Sequence, residues 1–314
     1  MRKFIFDISL FFILLLIVLS ILTCGCWCWI LTHPAQFYTH SNANIRMGQE
    51  KMCHKSTPSI ILIGGSNCAF GFDSKLIVDA LHMPVINTGV SAGIGLYTQT
   101  QMVLPYVSKG DIIIICPEYE QFTSLLYGDE TLLLAISSND KDLFHLLSLK
   151  QIIYLSQYLP SAIKDIVSAR VWFNESNNDD YAPYWDTCVN EYGDNAAWGK
   201  RLHHNFPSEG RLEPSNIDKE SVRYIKTFIK DIHSKSAECL LLPPVYRDEE
   251  FHENIDVIEK LTERLEKNGT PFISHPINYV VPDSLCFDSR YHLTHEGAIL
   301  RTQQVINDII PYMH

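Results

Sequence analysis

The chain has 314 residues, enough for one α/β domain of ordinary size plus an anchor. Its 36 acidic residues against 25 basic give a formal net charge of -11. That balance leaves no basic stripe to neutralise phosphates and speaks against nucleic-acid binding. The nine cysteines include no CxxC pair, so the ligand spacing of a zinc site is missing and nothing in the sequence calls for a metal or cofactor.

From Ile8 to Leu31 no side chain is charged. At 1.5 Å per residue such a run crosses a hydrocarbon core of about 30 Å. Arg2 and Lys3 precede it, so the positive-inside rule places residues 1–7 in the cytoplasm, 8–31 in the membrane and the rest on the extracytoplasmic side, periplasmic or cell-surface. The run exceeds the roughly 7 to 15 apolar residues of a signal peptide and predicts an uncleaved anchor. Residues 32–57 are polar, with little periodicity, and read as a linker. The domain then occupies 58–314.

Within it, Ser59 to Ile63 is an apolar run closed by Gly64-Gly65, the pattern of a buried parallel strand and a tight turn. Asp73-Ser74 caps a helix from Lys75 to Leu81, and Pro84 to Asn87 reads as a second strand. A helix over Gly93 to Val107 leads to Ile112–Cys116, whose unbroken apolarity predicts a central strand. Residues of about 130–215 read as one insertion: helical to Val171 with a break at Pro160, then irregular from Trp172 to Pro214. That second part suits a packed excursion or, through its aromatics, a carbohydrate surface. Beyond it the pattern predicts a helix over Ile217–Ser234, a strand over Cys239–Leu242, a helix over Glu250–Lys267 closed by Asn268-Gly269, a strand over Pro271–Ser274 and a last helix from Thr294 to Ile310. Alternating strands and helices predict an α/β fold with a mainly parallel sheet.

Ligands of such sheets sit beyond the carboxyl ends of the strands. Ser66, directly after the first strand, is placed there as a nucleophile, although a turn serine bonded to its own backbone fits GGSN equally well. Asp288 and His292, four residues apart before the last helix, can supply the base that activates a serine and the carboxylate that orients it. A turn-capping Asp beside a solvent-facing His is the plainer alternative, and His295 is a competing base.

GGSN followed by AFGFDS, the middle Asn87-Thr88-Gly89 and the late FDSRYHLTHEG together resemble the dispersed blocks of the SGNH/GDSL hydrolase superfamily. More narrowly, they resemble its membrane-anchored members associated with acylation of cell-envelope polymers, including the cell-wall D-alanyl-transfer and alginate-acetylation types. The resemblance implies a three-layer α/β/α, flavodoxin-like fold. It implies Ser66 as nucleophile with Asp288 and His292 as partners, and an oxyanion hole from the N–H groups of Ser66 and Gly89. Where simple members place GxND after the third strand, this chain has Cys116-Pro117-Glu118-Tyr119-Glu120. An ionised Glu118 cannot donate to an oxyanion, so it is expected to face elsewhere or to be replaced as donor by Asn67 or Asn87.

The function these features imply is a serine-dependent acyl-ester hydrolase or O-acyltransferase acting on an envelope glycan or glycolipid through an acyl-serine. A multi-pass membrane acyltransferase would be a partner for transfer. The alternative is a non-catalytic SGNH-like subunit for envelope assembly or glycan binding.

Overall fold

The computed structural model describes residues 2–33, 39–138, 141–172, 183–212 and 217–313. The remaining parts of the expected linker (34–38) and irregular stretch (173–182, 213–216) lie outside the described residues. In chain order the elements are α1 (Arg2–Thr32), α2 (Thr39–His54), β1 (Ile60–Gly64), α3 (Ser66–Ala69), α4 (Ser74–Leu81), β2 (Val85–Asn87), α5 (Leu96–Val103) and β3 (Ile112–Cys116). Then follow α6 (Glu130–Ser137), α7 (Lys141–His145), α8 (Leu149–Leu155), α9 (Leu159–Trp172), α10 (Lys219–Ser234), β4 (Glu238–Leu241) and β5 (Tyr246–Arg247). The chain closes with α11 (Asp248–Glu253), α12 (Ile255–Asn268), β6 (Val280–Val281) and α13 (His295–Ile309).

These elements form two compact units. The first joins Met1–Phe37 to Glu130–Ser176. In it α1 is long and apolar enough to cross a membrane. Its last turns bury Trp27 and Ile30: the Trp27 ring packs at 5.6 Å from that of Phe144, and its Nε1–H donates to Ser156 Oγ at 3.2 Å. Pro160 stands in the first turn of α9, where its missing N–H costs nothing. The sequence reads 130–215 as a single insertion, but its helical part clusters with α1 while the described residues 183–212 belong to the second unit.

The second unit is built on a parallel sheet of order β2-β1-β3-β4. The isoleucines of β1 and β3 are buried at every position, as the unbroken apolar runs require. Ile61, Ile63, Ile113 and Ile115 join a core with α5, α10 and α12. Ile60, Leu62, Ile112 and Ile114 join another with α4 and α13.

Two expectations need correction. The polar segment read as linker contains α2, which is folded into the second unit: Asn44 is fully buried, and its Nδ2 donates to the carbonyls of Gly89 (2.6 Å) and Gly193 (2.9 Å). A helix that buries Ser41, Asn42 and Asn44 beside only Ile45 and Met52 carries little hydrophobic periodicity to read. Pro271–Ser274 is not a strand. It makes one bond to the sheet, Ile273 N–H to Leu241 O at 2.9 Å, and Pro271 has no N–H with which to extend a ladder. The late strand is instead β6, paired in parallel with β5.

Candidate functional site

From β1 the chain steps one way to β2 and the other way to β3, so the crevice of an open parallel sheet opens beyond the carboxyl ends of β1 and β3. The register pairs Gly64 with Cys116. Ser66 and Glu118, each two residues further on, therefore leave the sheet side by side. Ser66 begins α3 and its Oγ–H donates to Glu118 Oε1 at 3.1 Å.

The same Glu118 oxygen accepts from the Asn67 N–H at 2.8 Å and from Asn67 Nδ2 at 3.4 Å. Glu118 is held from below by a capping box on the turn Tyr119–Phe122. Its side chain accepts from the Gln121 N–H, and its own N–H donates to Gln121 Oε1 at 3.0 Å. Glu118 is 4% exposed, and burial pushes its carboxyl above the usual carboxylate value. The charge of Glu120 adds to this, while the Asn67 N–H, His292 and Ser66 pull back. Of the two alternatives expected for Glu118, facing elsewhere is not the one found: it faces the serine.

His292 Nδ1 and Asp288 Oδ1 lie 2.8 Å apart. The Tyr184 hydroxyl donates to Asp288 Oδ2 and lies 3.3 Å from His292 Nδ1. Burial opposes charge on Asp288, but the hydrogen bond and charge of His292, with the Tyr184 hydroxyl, outweigh it and hold this carboxyl below its ordinary value. The imidazole stacks on Phe70, ring centroids 4.3 Å apart and planes 16° off parallel. Phe70 caps the helix that Ser66 begins, so this stack ties the two halves together. His295 lies apart from them: it stacks on Trp198 at 4.3 Å and faces Asp73 at 3.8 Å. Asp288 thus orients His292, not His295.

The donors expected for an oxyanion hole are mostly spent. The Gly89 N–H donates to Asn87 Oδ1 at 2.9 Å. Asn87 Nδ2 donates to Cys68 O (2.9 Å) and Asp194 Oδ1 (2.8 Å). Asn67 Nδ2 points to Cys116 O at 3.0 Å, and its Oδ1 accepts from Arg301 at 2.8 Å. These bonds knit the loops behind the site together. Gly89 is required there for space, since a Cβ would lie 2.8 Å from Cys68 Cβ. Among the described residues the Ser66 N–H has no acceptor.

Sequence reasoning missed Tyr184 and Arg201. Both come from the irregular stretch, and both meet Phe70 at the end of α3. Arg201 is fully buried, donates to Phe70 O at 2.8 Å and lies over the Trp198 ring at 4.3 Å. Burial lowers its pKa to about 9. Among the described residues no cluster of three or more His, Cys, Asp or Glu is gathered to hold a metal. No protein-family model matches this chain, and no curated protein does.

Proposed function

We propose that this chain is a membrane-anchored, serine-dependent acyl-ester enzyme of the SGNH kind. In this reading α1 spans the membrane with the N-terminus in the cytoplasm, and a three-layer α/β/α domain works on the extracytoplasmic side. The reaction is hydrolysis of O-acyl groups on an envelope glycan or glycolipid, or their transfer through an acyl-Ser66. The observation that carries the reading is the Asp288–His292 hydrogen bond, set by the Phe70 stack beside the helix that opens with Ser66. A serine at a helix start, an oriented imidazole and the Ser66 N–H are the parts acyl transfer needs.

The test is a fluorophosphonate probe applied to the full-length chain in detergent micelles. The wild type is expected to become labelled and Ser66→Ala to remain unlabelled. The internal use of the Gly89, Asn67 and Asn87 donors favours a second reading, a non-catalytic envelope-assembly or glycan-binding subunit. A folded wild-type chain that takes up no probe at any pH would move the assignment there.

A further inference from the structure

The hydroxyl of Ser66 has one acceptor among the described residues, Glu118 Oε1. Gly65 makes this meeting possible: a Cβ there would sit 2.6 Å from Glu118 Cδ. The carboxyl is fixed from its own backbone by the Gln121 capping box, and Gln121 is fixed in turn by its Nε2–H to Gln99 Oε1 at 2.9 Å. No hydrogen bond joins Ser66 to His292 among the described residues; His292 Nδ1 is bonded to Asp288, which leaves Nε2 as the nitrogen that exchanges protons. A base must lie within about 2.6 to 3.2 Å of the proton's heavy atom; Glu118 does so at 3.1 Å.

We infer that Glu118 is a catalytic residue that takes the Ser66 proton, leaving His292 to serve the departing and incoming oxygens. The inference rests on the acyl-serine reading above. As the Ser66 Oγ–C bond forms, the Oγ proton passes to Glu118 Oε1. As the bond from acyl carbon to leaving oxygen breaks, protonated His292 gives that oxygen its proton. In the second half, water or a sugar hydroxyl loses its proton to His292 while its oxygen bonds to the acyl carbon. The Ser66–acyl bond then breaks, and Glu118 returns the proton to Oγ. Both residues end as they began, and no further reactant is needed.

The surroundings suit a base. The groups whose charge acts on Glu118 are Glu120 on its own segment and His292. Cys68 beyond Ser66 and Tyr291 beside His292 lie within its electrostatic reach. Arg301 of α13 stands behind it, bonded to Asn67. Burial and Glu120 raise the carboxyl toward neutrality, which strengthens it as a proton acceptor while the donors of Ser66, Asn67 and Gln121 suit its ionised form.

The experiment compares fluorophosphonate labelling rates of the full-length chain in micelles. Fluoride leaves without a proton, so this probe needs only the base. Glu118→Gln is expected to slow labelling at least ~100-fold with its unfolding midpoint near that of wild type. Glu118→Asp, which keeps the carboxyl, should recover part of the rate, and His292→Ala should slow labelling less than Glu118→Gln does. The acid limb of the rate profile should lie above the ordinary carboxylate range and disappear in Glu118→Gln. Wild-type rates in Glu118→Gln, or abolition of labelling by His292→Ala alone, overturn the inference while Ser66-dependent labelling keeps the enzyme reading. A wild type that does not label, or labels equally in Ser66→Ala, overturns both.

Discussion

Gly65 has no side chain where Glu118 puts its carboxyl. The backbone of Gly65 is ordinary, at φ -75, so its smallness answers a need for space rather than for unusual dihedrals. A methyl there meets Glu118 on one side and Ala92 Cβ at 3.1 Å on the other. Gly65→Ala is therefore expected to displace the carboxyl from Ser66. Overpacking of this kind costs about 1–3 kcal/mol. Denaturant unfolding should show that loss, and fluorophosphonate labelling should fall at least ~10-fold, the fall persisting under conditions where the variant is fully folded.

Tyr184 tests the other half of the site. Its hydroxyl donates to Asp288 and approaches His292, so Tyr184→Phe removes a donor to a carboxylate while keeping the ring that packs at 5.2 Å from Phe70. A hydrogen bond to a charged group contributes about 1.5–3 kcal/mol. Burial keeps the Tyr184 hydroxyl protonated well above its ordinary range, so it is a donor at every working pH. The variant should fold, with Asp288 titrating higher than in wild type. Carboxyl NMR of labelled aspartate reads that shift, and turnover of an alkyl ester should drop several-fold.

How much of this was legible follows from how each residue is used. Buried parallel strands are written in unbroken isoleucine runs, so β1 and β3 stand out. Gly269 at φ 78 ends α12, and Thr294 caps α13 by accepting from the Gly297 N–H, both by local rules that a sequence displays. By contrast α2 hides its role because, besides Ile45 and Met52, it buries Ser41, Asn42 and Asn44, and Asn44 is bonded to distant carbonyls. Asp288 and His292 share a loop and could be paired by eye, whereas Tyr184 stands 104 residues before Asp288, with α10, α11, α12 and three strands between them. The Glu118 contact was within reach of the sequence. Glu118 follows β3 by the same two residues that separate Ser66 from β1, and equal offsets on neighbouring parallel strands bring side chains together. Looking for an oxyanion donor at that position concealed an acceptor.

The buried pair Asn87 and Asp194 gives a prediction about stability and pH. Asp194 is fully buried, and burial raises its carboxyl above the ordinary value despite bonds from Ser74 and Asn87. Asn87→Asp replaces a donor with a second anion, so both folded-state values should rise above those of the unfolded chain. The folded form then holds protons that the unfolded chain has already released. Stability is retained at or below the unfolded carboxylate value of about 4 and lost as pH rises through the elevated folded values. Leaving a buried charge uncompensated costs about 3–5 kcal/mol. Urea unfolding should show Asn87→Asp destabilised by that order at pH 7, with part regained toward pH 4. Equal destabilisation at both values would refute the charge argument.

Trp27 tests the helical unit in the same way. It lies in the last turns of an apolar helix whose earlier turns are exposed, and is buried by Phe144 and by its bond to Ser156. Trp27→Ala empties that contact, and a large-to-small change at a buried aromatic costs about 3–5 kcal/mol. Trp27→Phe keeps an apolar ring but loses the N–H bond and part of the indole's bulk, a smaller change than Trp27→Ala. Hydrogen exchange of the full-length chain in micelles should show amides of α6, α8 and α9 losing protection strongly in Trp27→Ala and weakly in Trp27→Phe. Amides of β1 and β3, whose neighbours belong to the other unit, should keep theirs. Uniform loss across both sets would mean that the two units unfold as one.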